Sequence, residues 1–131
     1  MSRENVEVVL AGYEAWNAGD METYGKLLHP NVIMRPPEGW PEQGPFVGRE
    51  AVLREFKQVR DTWEADAAEP ISEPIAVGDK VLMRFHWRLK GQGPDASTEL
   101  TCLYTVRDGK HLSFEFFWDH AKALKAAGLE E

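Results

Sequence analysis

The sequence contains little cysteine and little positive charge, and each shortage excludes a class of protein. Cys102 is the single cysteine among 131 residues, so the chain cannot form an internal disulfide and no oxidising compartment is implied. Acidic residues outnumber basic ones by 22 to 15, which gives a formal net charge of −7. Nucleic-acid-binding proteins need a basic footprint and anionic membranes attract basic clusters, so the composition argues against both partners.

Long apolar runs are also missing. Charged residues interrupt the N-terminal segment MSRENVEVVL, so we expect neither a signal peptide nor a membrane span, and we expect a soluble cytoplasmic protein. No glycine-rich phosphate loop follows a strand-like segment, and no histidines or carboxylates have metal-ligand spacing, so we predict no cofactor and no metal. The length suits one domain spanning residues 1–131.

The clearest pattern in the chain is the alternation within Lys80–Lys90, KVLMRFHWRLK. Bulky apolar residues alternate there with basic ones, Leu82 being the one exception, and this period of two indicates a half-buried β-strand. The apolar face, with Phe85 and Trp87, is predicted to meet the helices. The basic face carries His86, which we assign to the outer surface of the sheet although histidine is a common acid–base residue.

Other patterns predict the order helix, helix, strand, helix, four strands and a short final helix. Apolar residues at helical spacing predict helices that end near residues 17, 29, 63 and 127, and the predicted strands cover residues 31–35, 67–77, 80–90, 97–107 and 110–118. Helices gathered on one face of a curved, mostly antiparallel sheet give an α+β fold, a cone-shaped barrel around a cavity.

The segment PPEGWPEQGP, residues 36–45, interrupts this order with four prolines and two glycines. Such a composition excludes regular secondary structure. Its isolated tryptophan, Trp40, leaves two interpretations open, a lid over a cavity or a stiff surface turn.

Four segments resemble landmarks of one superfamily. YEAWNAGD (13–20), followed by LLHPNV (27–32), then FVGREAV (46–52) and YTVRDGK (104–110), is similar in order and spacing to the SnoaL-like polyketide cyclases and ketosteroid isomerases. The resemblance covers nearly the whole chain and implies the cone-shaped nuclear-transport-factor-like fold. It does not imply one reaction, because this fold hosts isomerases, cyclases, dehydratases, hydrolases and non-catalytic binding modules.

The positions of the isomerase residues are occupied by other residue types. The resemblance puts Arg35 where the isomerases have their aspartate base and Cys102 near their second pocket acid. The donor tyrosine of the first helix would fall near Gly12, and Tyr13, one residue away, is expected to point elsewhere. These departures argue against steroid-type isomerisation.

Three residues are nonetheless candidate catalytic groups. The resemblance places Arg35 inside the cone, where a guanidinium would anchor a substrate or stabilise an enolate; the alternative is a structural pair with Glu38, Glu42 or Asp119. Tyr104 would donate a hydrogen bond in the cavity. Asp119 is a candidate base, although its position also suits a helix cap.

The high aromatic content, 11% with five tryptophans, favours a pocket as well as a core. His29 and His111 are expected at the surface, and the pair Asp119 and His120 diverges as neighbours on a helix do. Cys102 is interpreted as a small apolar core residue on the inner face of its strand. The predicted pocket consists of Trp16, Trp40, Phe56, Trp63, Phe85, Trp87, Cys102, Phe114 and Trp118.

Two functions remain open from the sequence. The first is binding of a small organic molecule with a carbonyl or anionic group; an enzyme of this kind would perform cofactor-independent acid–base chemistry of isomerase, cyclase or hydrolase type. The alternative is a non-catalytic ligand-binding or dimeric assembly domain. The resemblance implies a homodimer through the outer sheet face, where exposed Leu103 and Phe117 would be unusual on a monomer. That face is predicted to hold Arg84, His86, Arg88, Glu99, Thr101, Leu103, Glu115 and Phe117.

Overall fold

The structure is a computed structural model that describes residues 2–63, 65–91 and 96–129. In these ranges the helices are α1 (Ser2–Ala18), α2 (Met21–Lys26), α3 (Arg49–Asp61) and α4 (His120–Ala126). The strands are β1 (Leu28–Arg35), β2 (Phe46–Val47), β3 (Ala65–Pro70), β4 (Ile75–Val77), β5 (Lys80–Lys90), β6 (Ala96–Arg107) and β7 (Lys110–Phe117).

The strands form one sheet in the order β2-β1-β7-β6-β5-β3, and β4 also pairs with β5. Every pairing is antiparallel except β1 with β7. The predicted α+β architecture is confirmed, and β5 has the predicted bounds. The strand predicted over residues 67–77 is instead two short strands, because Pro70 ends β3 and Pro74 lies in the gap before β4.

The hairpin between β6 and β7 has the predicted tight turn. Asp108 and Gly109 have φ angles of 55° and 73°, which are the two positive values that a type I′ turn requires. This turn sets β6 and β7 side by side over most of their length. The inner faces of both strands therefore contribute to the same wall.

A β-bulge in β7 changes which side chains face inward. Thr105 pairs with Ser113 and Val106 pairs with His111, so Leu112 is an extra residue on the β7 side. An inserted residue reverses the alternation of side chains along a strand. As a result, His111 and Phe114 are both buried on the inner side although they are three residues apart.

The outer face of the sheet is partly covered by α4. Leu82, the apolar exception in the alternation of β5, packs there with Leu103 and Ala123 in a second small core. Leu103 is only 4% exposed and Phe117 is half-buried against the same cluster, so the expectation that these two side chains are exposed is wrong. They bury their surface against a helix of their own chain, and they no longer argue for a dimer.

Asn17, at the end of α1, forms hydrogen bonds with backbone groups on the free edge of β3. Its side-chain nitrogen donates to the Ala68 carbonyl and its oxygen accepts from the Ala68 amide, both at 2.8 Å. Unpaired edge groups of a strand otherwise invite pairing with another chain. The same bonds hold β3 against α1, which positions one side of the cavity.

Within the described ranges, none of the helices is both long and apolar enough to span a lipid bilayer.

Candidate functional site

A cavity of about 90 Å³ lies between α1, α3, the proline-rich loop and the inner face of the sheet. Of the predicted pocket residues, five line this cavity together with the predicted candidate Tyr104; these six are Trp16, Trp40, Phe56, Phe85, Trp87 and Tyr104. The wall also includes residues that the sequence patterns did not suggest, among them Tyr13, Tyr24, Met34, His111 and Phe116. The cavity is therefore aromatic, as predicted, and has a polar end.

Two tyrosine hydroxyls meet at the polar end. The Tyr104 hydroxyl donates to the Tyr13 hydroxyl across 2.7 Å, and both side chains are buried. Burial raises the pKa of both phenols, so both remain protonated at neutral pH. The two hydroxyl groups carry one hydrogen each, and only one of these hydrogens can form the bond between them. The expectation that Tyr13 points away from the cavity is wrong, since its ring also lies edge-on to Phe85.

His111 lies beside this pair and is 1% exposed. Its ring is 5.3 Å from that of Tyr104 and 4.6 Å from that of Phe114, measured between centroids. Neither ring nitrogen has a hydrogen-bond partner among the described residues. Burial lowers the pKa of His111 to about 3, so the imidazole is neutral at pH 7.

The prediction that His111 is a surface residue is wrong because of the bulge at Leu112, which turns the side chain inward. Gly12 of α1 provides the space for it. A Cβ atom at Gly12 would lie 3.2 Å from the His111 Nε2 atom, closer than most such contacts. The close approach of α1 to the sheet at this point therefore depends on a residue without a side chain.

Two stacked, partly exposed indoles line the cavity, and we call this part of its wall the mouth. The rings of Trp40 and Trp87 lie 6.1 Å apart at an interplanar angle of 30°. Trp40 Nε1 donates to the Glu55 carboxylate across 3.1 Å. Of the two interpretations left open for the proline-rich loop, the structure therefore favours the cover over a cavity.

Asp66 accepts hydrogen bonds from the N–H groups of two indoles that line the cavity. The Nε1 atoms of Trp16 and Trp87 both donate to its Oδ1 atom, at 2.8 Å and 2.7 Å, while Oδ2 is buried without a partner. Burial raises the pKa of Asp66, an effect that the two indole hydrogen bonds oppose. Arg60 lies close by, with its guanidinium 4.9 Å from the Trp16 ring centroid. A buried charge in a strand of small residues, ADAAEP, was the signal that could have identified Asp66.

Arg35 is exposed and does not line the cavity. Val32 and Met34 are the buried residues in the second half of β1, and Met34 contacts the cavity. Side chains alternate along a strand, so Arg35 lies on the other face, and the prediction that it enters the cone is wrong. Arg35 takes part in none of the ion pairs among the described residues. Glu38, one of its expected alternative partners, pairs with Lys122 instead.

Asp119 and Trp118 lie away from the cavity. The Asp119 carboxylate accepts from the Ala121 amide across 2.9 Å and caps α4, which is the alternative role considered for it. Trp118 is 45% exposed, and its Nε1 donates to the Glu38 carbonyl at 2.7 Å. The assignment of Trp118 to the pocket is wrong because the chain leaves the sheet at this residue.

Three other predicted pocket residues lie behind or beside the wall. Cys102 is fully buried in the core, on the predicted inner face, and burial raises the pKa of its thiol. The Phe114 ring packs 5.3 Å from that of Phe56. Trp63 follows α3 and lies against Gly91. None of the three is among the residues that line the cavity.

The lining of the cavity in the described part of the chain carries no aspartate, glutamate, lysine or arginine. Nor do three His, Cys, Asp or Glu side chains of the described residues come together as ligands of a metal ion would. This arrangement can hold an uncharged, flat molecule against indole and phenyl rings and donate a hydrogen bond to it at one end.

Comparison with solved structures shows the same fold in proteins of low sequence identity. Bal32a, from a soil-derived mobile gene cassette, is 21% identical with a TM-score of 0.80, covering 88% of each chain. TerC, co-crystallised with polyporic acid, is 24% identical with a TM-score of 0.77, over 95% of this chain and 98% of that one. A putative polyketide cyclase of Sinorhizobium meliloti, SMa1630, is 24% identical with a TM-score of 0.67, over 84% and 93%.

A search of curated proteins gives no match. The SnoaL-like domain family matches residues 9–113, a stretch that includes the tyrosine pair, His111 and most of the aromatic wall. The fold, the order of the segments and this match agree, and the chain belongs to the SnoaL-like family.

Proposed function

We propose that this protein binds a small uncharged molecule that carries a flat apolar ring and a carbonyl or phenolic oxygen. The observation that carries the proposal is the buried hydroxyl pair of Tyr13 and Tyr104, 2.7 Å apart, at the end of an otherwise aromatic cavity. Aromatic walls supply most of the affinity for such a ligand, and a few polar groups orient it.

The ligand oxygen belongs at the tyrosine pair. One hydroxyl hydrogen of Tyr13 and Tyr104 is used between the two residues, and the other is left for a further acceptor. A carbonyl oxygen in the cavity would accept it, and such a hydrogen bond contributes about 0.5–1.5 kcal/mol.

The absence of charge on the described wall favours an uncharged ligand. Of the carbonyl and anionic ligands expected from the sequence, an anion would lose its hydration in this cavity without gaining a cationic partner. Arg35, the cation expected to serve as that partner, is exposed outside the cavity. TerC, co-crystallised with polyporic acid, supports a small organic molecule as the general class of ligand for this fold.

Acetophenone is a suitable probe, and the fluorescence of the cavity tryptophans reports its binding. We expect saturable quenching in the native protein, and we expect Tyr13→Phe and Tyr104→Phe each to raise the Kd about 2- to 12-fold. Tyr24→Phe is the matched control, because Tyr24 also lines the cavity but lies outside the hydroxyl pair. Absence of saturable binding, or equal effects of all three substitutions, would contradict the proposal.

A second candidate function is proton transfer next to the ligand carbonyl. The observation in its favour is His111, a neutral imidazole with two unpartnered nitrogens beside Tyr104. In that reaction an imidazole nitrogen takes the proton α to the carbonyl, the C–H electrons form the enolate, and the tyrosine pair stabilises its oxygen. Because burial lowers the pKa of His111 to about 3, it is a weak base, and this favours binding over catalysis.

Deuterium exchange separates the two functions. Catalysis predicts that the protein accelerates exchange of the acetophenone methyl protons in D₂O, followed by NMR, and that His111→Phe abolishes the acceleration. If acetophenone binds but its methyl protons exchange no faster than in buffer, the result supports binding without proton transfer.

A further inference from the structure

Three indoles of the cavity wall turn their N–H groups toward two buried carboxylates. Trp16 and Trp87 donate to Asp66 at 2.8 Å and 2.7 Å, and Trp40 donates to Glu55 at 3.1 Å. Both carboxylate side chains are buried, and neither is among the residues that line the cavity. The indoles therefore stand between the cavity and the two acids.

This arrangement leaves no indole N–H of these three residues for a ligand. What they offer is ring surface, which carries the negative side of the aromatic quadrupole. Donation of an N–H to a carboxylate polarises the ring further and increases that negative character, because hydrogen-bonded groups polarise one another at low dielectric.

Arg60 offsets part of this effect at Asp66 and most directly at Trp16, whereas no described ion pair offsets it at Glu55. Its guanidinium lies over the Trp16 ring, and its Nη1 atom donates to the Trp16 carbonyl at 2.8 Å. Among the described residues, no cation faces the stacked rings of Trp40 and Trp87 as Arg60 faces that of Trp16, so we expect this pair to be the most electron-rich part of the wall.

We propose that Glu55 and Asp66 are specificity-determining residues that tune the mouth of the cavity to electron-poor flat rings. This inference rests on the proposed binding function and names the class of ring that the same site prefers. An electron-poor ring stacks on an electron-rich indole face with less repulsion than an electron-rich ring does. The two acids act through the indoles and do not touch the ligand.

Two acetophenones of similar size test the preference. 4′-Cyanoacetophenone has an electron-poor ring and 4′-methoxyacetophenone an electron-rich one, and both keep the carbonyl oxygen. We expect the cyano compound to bind the native protein at least about threefold more tightly. The methoxy group makes the carbonyl the better acceptor, so the hydrogen bond to the tyrosine pair works against this preference and cannot produce it.

Glu55→Gln and Asp66→Asn remove the charges and retain an oxygen that accepts from the indoles. We expect each substitution to lower the ratio of the two Kd values toward one. Asp61→Asn, at the exposed end of α3, changes the net charge equally and should leave the ratio unchanged. A merely structural role of the acids would weaken both probes by the same factor, and near-ultraviolet circular dichroism checks that the tryptophan packing is retained.

The outcomes distinguish the two levels of inference. If neither probe binds, both the binding function and the ring preference are overturned. If both bind but the native ratio is one, or if neither acid substitution changes it, the ring preference alone is overturned. Each acid is tested in a separate variant and the native ratio needs no variant, so one misfolded protein does not prevent a decision.

Discussion

Mild acid should destabilise this protein through one residue, His111. The imidazole is 1% exposed and its two nitrogens have no partner among the described residues. Burial lowers the pKa of His111 from 6.5 to about 3, whereas in the unfolded chain it titrates near the ordinary value. Between these two values, the unfolded state binds a proton that the folded state does not.

The size of the effect follows from proton linkage. Stability is unaffected by His111 well above pH 6.5 and falls as the pH drops from 6.5 toward 3, because protonation then favours unfolding. The full gap corresponds to about 5 kcal/mol, and the part lost between pH 7 and pH 5 is about 2 kcal/mol. Against a typical stability of about 5–15 kcal/mol, this loss is easily measured.

Two other groups contribute to the pH dependence of the native protein. The pKa of Asp66 is raised, so its protonation favours the folded state as the pH falls. Hydrogen bonds from Thr23 lower the pKa of Asp20, so protonation of that cap favours unfolding in more acidic solutions. A comparison with a His111 variant removes both contributions, since they are common to the two proteins.

The assay is urea unfolding of the native protein and of His111→Phe at pH 7, 6 and 5. We expect the difference in unfolding free energy to move in favour of the variant by about 2 kcal/mol from pH 7 to pH 5. His111→Leu provides a second variant, because the Phe ring is longer and approaches Gly12. His86→Gln, on the outer face of β5, serves as the control.

Parallel pH profiles for the native protein and both His111 variants would refute the reasoning. So would an NMR titration in which the imidazole of His111 protonates near pH 6.5, since such a titration would mean that solvent reaches the ring.

Further predictions concern residues outside the polar end of the cavity. Asn17→Ala should lower the free energy of unfolding by about 1–3 kcal/mol, measured in urea, because both Ala68 edge groups lose their partner; no loss would show that water replaces the amide. Asp119→Ala should cost about 1 kcal/mol through the α4 cap and leave acetophenone affinity unchanged; altered affinity would restore a role in the site. Arg35→Ala should leave the Kd for acetophenone within about twofold, since Arg35 is exposed; a larger change would put the guanidinium at the ligand. A homodimer through the outer sheet face remains a prediction that sedimentation at micromolar concentration tests, and a monomer would contradict it.

The three long strands β5, β6 and β7 were predictable because their signals are local. The alternation of Lys80–Lys90 gave the bounds of β5, and the Asp108-Gly109 pair gave the turn that follows β6. Leu82 was also visible in the sequence as an exception to the alternation, but the reason for an apolar residue there is a tertiary contact. Only the structure shows α4 covering that position.

The orientation of single side chains was less predictable. His111 faces inward because one inserted residue, Leu112, reverses the alternation of side chains along β7. The residue types around Leu112 do not predict a bulge. Arg35 was placed by resemblance on the inner face, although the alternation of β1 puts the buried Met34 there. The hydrogen bonds between the indoles and the acids also depend on the tertiary structure, since Trp16 and Asp66 are separated by 50 positions in the chain.

The proline-rich loop has a kinetic consequence for any molecule that passes Trp40. The loop is fastened twice: Trp40 donates to Glu55 on α3, and the Glu38 carbonyl accepts from Trp118 at the start of the C-terminal segment. Lys122 of α4 adds an ion pair to the Glu38 carboxylate at 3.8 Å. Under the proposed binding function, displacing Trp40 from Trp87 would break one attachment and strain the other. We therefore expect these contacts to slow ligand entry and exit together and to lengthen residence without changing the equilibrium affinity. Shortening the chain before Trp118 would release one attachment and quicken exchange at a site that the removed residues never touch.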